Sequence, residues 1–133
     1  MPARIDMIGI FVQDIQRMVT FYGAVLGFEI GWNRKGPYAE FTNAGVRFSM
    51  YECSQLPALL GQTPNHPAGI NGPFGLAIDL PASVGVDREF ARLVACGGTA
   101  IYAPREEPWG MRSSMIADPE GNLIELASSH RGV

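Results

Sequence analysis

The chain has 133 residues, 47% of them apolar and 17% charged, which is enough for a core without staples and far from a disordered composition. A formal net charge of −3, with ten scattered Lys and Arg residues, excludes the clustered basic face that nucleic acid demands. No apolar run approaches the roughly 18 residues that span a bilayer, and Met1 to Asp6 lack the basic-then-apolar layout of a secretory signal, so the expected setting is cytoplasmic.

Residues 5–12 read as a short strand rich in β-branched side chains. Asp14 stands where a helix N-cap belongs, its carboxylate offered to the first free amides. Ile15, Met18, Val19, Tyr22, Val25 and Leu26 then recur at the spacing of a helix with one buried stripe. Gly27 closes that helix, because glycine takes a positive φ without steric cost. Three strands are expected at 28–32, 38–42 and 46–51, punctuated by Gly36-Pro37 and by Asn43-Ala44-Gly45.

The same order returns after residue 73. A strand at 74–80 precedes a helix whose apolar positions are Val86, Phe90, Leu93 and Val94, ended by Gly97-Gly98. Strands follow at 99–102, 113–117 and 122–127, the last two joined by the turn Asp118-Pro119-Glu120-Gly121. A repeat of this kind outranks single-residue clues for fold. The expectation is one domain over 1–133, with module one at 5–51, a linker at 52–73 and module two at 74–127. The linker is rich in proline and glycine, with room for one helical turn at 56–60. Cys53 and Cys96 make neither a disulfide framework nor a zinc motif, and read as a loop-edge thiol and a half-buried helix-end thiol in a reducing compartment.

Three segments carry a resemblance. Val12-Gln13-Asp14, Phe21-Tyr22 and Leu26-Gly27-Phe28 are together similar to the opening strand and helix of the vicinal oxygen chelate superfamily. Asp118-Pro119-Glu120-Gly121-Asn122-Leu123-Ile124-Glu125 resembles that superfamily's closing turn and strand, and Trp109-Gly110-Met111-Arg112 resembles the lead into its penultimate strand. Over residues 5–127 the chain is thus similar to glyoxalases, bleomycin-resistance proteins and extradiol dioxygenases. The resemblance implies an α+β fold of two βαβββ modules. Their curved mixed sheets would join into a ligand-holding cup, with the helices on the convex side, and a homodimer is implied as well.

Alternation along strands then sorts the side chains. Met7, Gly9 and Phe11, with Arg47, Ser49 and Tyr51, would face the cup, leaving Ile8, Ile10, Val12, Phe48 and Met50 against the helix. In module two Gly75, Ala77 and Asp79 face it, as do Leu123, Glu125 and Ala127.

The resemblance places metal ligands at Met7, Ser49, Gly75 and Glu125. Of these only Glu125 is a good anionic donor, and one carboxylate does not hold a catalytic metal, so no cofactor is expected. A divalent transition metal is the alternative. His66, in the linker, and His130, near the C-terminus, read as surface residues. Without metal, the cup is a mostly apolar site for a small aromatic or natural-product ligand. Phe11, Tyr51, Trp109 and Met111 would give flat or adaptable surface, Trp109 from a long loop at 103–110. Arg47, Arg112, Asp79 and Glu125 would set its polarity, with Met7 and Ser49 completing the lining.

Glu125 keeps three roles open: an ion pair with Arg47 or Arg112, a contact to a cationic or hydroxylated ligand, or a general base in apolar surroundings. Three functions stay open with them. The first is a metal-free binding protein, and the second a metal-dependent enzyme of the glyoxalase, isomerase or extradiol dioxygenase type. The third is a metal-free enzyme with Glu125 as base.

Overall fold

The computed structural model describes residues 2–66 and 68–128, and the chain divides into two units, Met1–His66 and Pro67–Val133. The first unit runs β1 (Met7–Val12), α1 (Ile15–Thr20), β2 (Ile30–Gly31), β3 (Tyr38–Phe41) and β4 (Arg47–Glu52). Its sheet has the order β1-β4-β3-β2, with β1 parallel to β4 and the other pairs antiparallel. Asp14 caps α1 as expected, its Oδ1 accepting the Arg17 amide at 3.0 Å. From Phe21 to Val25 the helix widens to π geometry, and the Leu26 amide donates to the Phe21 carbonyl at 2.8 Å. Gly27 then takes φ 91 and turns the chain toward β2.

The periodic stripe accounts for buried Ile15, Met18, Val19 and Tyr22, but it omitted Phe21, which is buried beside them. These side chains cover Ile10, Val12, Ala39, Phe41, Phe48 and Met50, all buried on one face of the sheet. Tyr22 is the hub, its ring centroid 5.5 Å from Phe48, 5.7 Å from Phe21, 6.0 Å from Phe41 and 6.4 Å from Phe28. That role for Phe28 shortens β2, which was expected from residue 28: the ring goes into the core, and strand pairing begins at Ile30.

The second unit repeats the topology with β5 (Asn71–Leu80), α3 (Val86–Ala95), β6 (Thr99–Glu106), β7 (Arg112–Ala117) and β8 (Asn122–Ser128). The order is β5-β8-β7-β6, and again only the first and last strands run parallel. Ahead of it in the chain, the expected helical turn is present as α2 (Leu56–Leu60), stopped by Gly61 at φ 73. Val86 and Leu93 of α3 are buried, as are Ile116, Ile124 and Leu126 on the sheet. Ser114 is buried among them, and among the described residues its hydroxyl finds no hydrogen-bond partner, a polar group held in an apolar core at net cost.

Two boundaries differ from expectation. β5 begins at Asn71 rather than Phe74, with a register shift between Asn71 and Gly75. The first half of the long loop expected at 103–110 is strand: β6 continues to Glu106, and the chain reverses in a tight turn where the Glu107 amide donates to the Met111 carbonyl at 2.7 Å. Pro73 and Pro104 lie within these extensions. Both belong to edge strands, where a missing N–H need not break a ladder.

Candidate functional site

Each sheet buries one face under its helix, and the opposite face presents the residues of interest. In the first unit the register sets them in rows across the strands. Phe11 pairs with Tyr51 and Tyr51 with Tyr38; Gly9 pairs with Ser49 and Ser49 with Glu40; Met7 pairs with Arg47. The structure therefore brings Met7, Phe11, Arg47, Ser49 and Tyr51 to one face, together with Tyr38 and Glu40, which sequence reasoning did not single out. A signal for both was present, because buried Ala39 and Phe41 in β3 oblige Tyr38 and Glu40 to point the other way.

The aromatic row is the apolar part of this face. Phe11 is 50% exposed, and the Tyr38 and Tyr51 rings meet edge to face with centroids 6.4 Å apart. Beside it lies a polar chain. Tyr38 donates its hydroxyl to Glu40 Oε1 at 2.8 Å and lies 3.5 Å from the Met7 sulfur. Loss of solvent around the phenol, and then its bond to Glu40, hold the Tyr38 pKa above the ordinary tyrosine value, against a smaller opposing effect of Ser49. Ser49 is only 2% exposed, so it presents little hydroxyl to an incoming molecule. Arg47 donates from Nη2 to the Met7 sulfur at 3.3 Å and pairs loosely with Asp6 at 3.5 Å and Glu40 at 3.7 Å.

In the second unit Gly75, Ala77 and Asp79 of β5 share the helix-free face with Leu123, Glu125 and Ala127 of β8, as alternation predicts. Glu125 pairs in register with Ala77 on one side and Met115 on the other. Its carboxylate has no hydrogen-bond or ion-pair partner among the described residues. Further along, Ser113 donates to Glu107 Oε2 at 2.7 Å and lies 3.2 Å from the Tyr102 hydroxyl. The Ser113 bond, with Arg105 beside it, holds the Glu107 carboxyl below its ordinary pKa.

Arg112 is a correction. It was expected to set the polarity of a ligand site, but it has the same parity as Ser114 and Ile116 and lies on the helix-covered side. There its guanidinium grips Asp87 of α3, with Nη2 to Oδ2 at 2.7 Å, and Glu106 at 3.1 Å. β7 begins at Arg112, one residue before the expected start at Ser113, and the added residue takes the helix-side parity. An Arg112–Glu125 pair is ruled out in the same way, since Arg112 is engaged with Asp87 and Glu106. Trp109 sits at the tip of the β6–β7 turn, 60% exposed, with Met111 half-buried beyond it. Cys96 is exposed rather than half-buried, and Cys53 is intermediate. His66 is exposed, and His130 lies outside the described residues.

The four positions expected to hold metal were weighed as donors. Met7 offers a thioether already flanked by a guanidinium at 3.3 Å, a cation where a second cation would have to sit. Ser49 is a buried neutral hydroxyl, and Gly75 has no side chain. Only Glu125 supplies an anionic oxygen, and among the described residues no three His, Cys, Asp or Glu side chains gather as a metal site. These residues do not fit a divalent transition metal, which takes about three protein ligands of imidazole or carboxylate type.

Residues 4–126 match the family model of the Glyoxalase/Bleomycin resistance protein/Dioxygenase superfamily, and the chain belongs to that superfamily. Its α+β pattern of two four-stranded mixed sheets is the fold of its solved relatives. A glyoxalase-related enzyme from Fulvimarina pelagi matches with a TM-score of 0.82 at 22% identity, covering 95% of this chain and 88% of that one. A glyoxalase/bleomycin resistance protein/dioxygenase family enzyme from Burkholderia phytofirmans PsJN matches with a TM-score of 0.79 at 25% identity, covering 95% and 98%. An uncharacterised protein of Mycobacterium bovis is 28% identical over 126 residues, 92% of this chain and 81% of its own length. No helix among the described residues is long and apolar enough to cross a membrane.

Proposed function

We propose that this protein binds a small planar aromatic or natural-product molecule without a catalytic metal. The observation that carries the reading is the row Phe11, Tyr51, Tyr38, three aromatic side chains at paired positions on the helix-free face of the first sheet. Two of them, Phe11 and Tyr38, are about half exposed, at 50% and 41%. Exposed aromatics rimmed by polar groups mark an interaction site, and convergent polar groups such as Arg47 and Glu40 would orient what binds. The poor donor set at Met7, Ser49 and Gly75 supports the metal-free part. We take the protein to be cytoplasmic and homodimeric, and light scattering near twice 14.4 kDa is the check on assembly.

Binding to the native state raises the melting temperature by mass action. Thermal-shift titration against glycopeptide antibiotics, mitomycin-like quinones and other planar aromatics is expected to find a stabilising compound. Phe11→Ala should weaken that compound about tenfold, as truncation of an aromatic anchor does. Stabilisation by no planar compound, or equal binding by Phe11→Ala, would count against the proposal. So would a stoichiometric transition metal in protein purified without chelators.

A further inference from the structure

On the same face, one position of β1 lacks a side chain. Gly9 lies between Phe11 and Met7, both pointing away from the helix, and the two flanking Cα atoms are about 13 Å apart along the strand. Across the strand pair the neighbours of this notch are Tyr51, Ser49 and Arg47 of β4. Gly9 itself is exposed, and the nearest atom to a Cβ placed there would be Ser49 Oγ at 3.1 Å. The notch is thus exposed to solvent but crowded on its β4 side by the Ser49 hydroxyl, and it is bounded by an aromatic ring at one end and a guanidinium at the other.

Arg47 is held less tightly than two other guanidiniums of the chain. Arg112 and Arg92 each grip a carboxylate with two bonds, at 2.5 and 2.7 Å for Arg112 with Asp87 and at 2.9 and 2.7 Å for Arg92 with Glu89. Arg47 has no such fork. Its carboxylates lie at 3.5 and 3.7 Å, its closest acceptor is a thioether, and its side chain is 48% exposed. It retains donor capacity, since a guanidinium carries five N–H groups and a thioether is a weak acceptor. The run Arg4, Asp6, Arg47, Glu40 is linked by pairs at 3.5 to 3.7 Å and balances two positive charges against two negative. A neutral acceptor joins such a run without upsetting its balance, whereas a carboxylate would leave it net negative.

We infer that the ligand is a planar aromatic compound carrying a neutral carbonyl oxygen, with its ring over Gly9 against Phe11 and its oxygen accepting from Arg47. This rests on the aromatic-binding reading and adds the seat and the chemical class. The probes are 2-acetylnaphthalene, its carbonyl-free analogue 2-ethylnaphthalene, and the anion 2-naphthoate, each titrated by calorimetry. A hydrogen bond to a charged donor predicts that the acetyl compound binds about tenfold more tightly than the ethyl compound. Arg47→Gln should bring that ratio close to one. Gly9→Val should weaken both about tenfold or more, because its branched methyls fill the notch.

If the parent binds planar aromatics yet the acetyl and ethyl compounds bind alike, or 2-naphthoate binds best, the carbonyl assignment is overturned and aromatic binding stands. If Gly9→Val folds with native circular dichroism and binds as the parent does, the seat is overturned. Should that variant not fold, exposed Arg47 supplies the deciding variant, and an unchanged ratio in Arg47→Gln overturns the inference. No binding of any planar aromatic by the parent overturns both readings together.

Discussion

Replacing Tyr22 with alanine is expected to cost the first unit about 4 kcal/mol, in the range for emptying a buried aromatic site. The ring is fully buried and stands within 5.5 to 6.4 Å of the Phe21, Phe28, Phe41 and Phe48 rings. Those four come from the π turn that follows α1, the approach to β2, and strands β3 and β4, so no single neighbour can move to fill the void. Aromatic pairs add about 0.5–1.5 kcal/mol each beyond area burial, and four are lost at once. Urea denaturation followed by far-ultraviolet circular dichroism measures the change. Tyr22→Phe is the control: it keeps every ring contact and should cost no more than about 1 kcal/mol. A Tyr22→Ala protein within 1 kcal/mol of its parent would show that the aromatic hub is not what stabilises this unit.

The second large effect lies in the β7–β8 turn. Asp118 is buried, and its Oδ1 accepts the amides of Glu120 at 2.9 Å and Asn122 at 3.0 Å, while Oδ2 accepts the Asn122 side-chain amide at 2.9 Å. Alanine would strand three donors, two of them belonging to buried Asn122. A loss of about 3 kcal/mol follows, or a fall in melting temperature of about 10 °C for a chain of this size. Asp118→Asn keeps one acceptor for the backbone amides but turns an NH2 group toward the Asn122 amide, so it should fall between parent and alanine variant. Were asparagine and alanine equally damaging, the backbone bonds to Oδ1 would not be the stabilising part. The reversal also needs Gly121 at φ 90, because a Cβ there would overlap the Gly69 carbonyl, and the Gly121 carbonyl accepts the Asn71 amide at 2.8 Å.

Those same residues, Asp118 to Gly121, were readable without coordinates, since aspartate, proline and glycine each occupy the turn position their chemistry favours. The Asp14 cap, the Gly27 stop and the sidedness of β1 and β4 were readable for the same reason: each depends on near neighbours in the chain. What escaped depends on position within a sheet. Pro104 looks like a strand breaker until β6 is known to lie at an edge, where its missing N–H need not be paired. Arg112 reads as a charge for the ligand site until α3 brings Asp87 over the sheet to meet it. Glu40 and Tyr38 entered the site only through cross-strand register, which sets them beside Ser49 and Tyr51. Resemblance identified the scaffold, but the polarity of the face emerged only from which guanidinium is tightly paired and which is not.

The pairing of β1 with β4 has a consequence for the order in which the molecule is made. Every strand of the first sheet lies within residues 7–52, so its ladder needs nothing from the C-terminal half. Domains generally fold as units during synthesis, N-terminal first. The emerging chain must hold β1 unpaired until β4 clears the ribosome, a delay of some forty residues, or a few seconds at the usual rate of translation. Once it does, the aromatic row and the Gly9 notch are assembled together, while the residues of the second sheet are still being added.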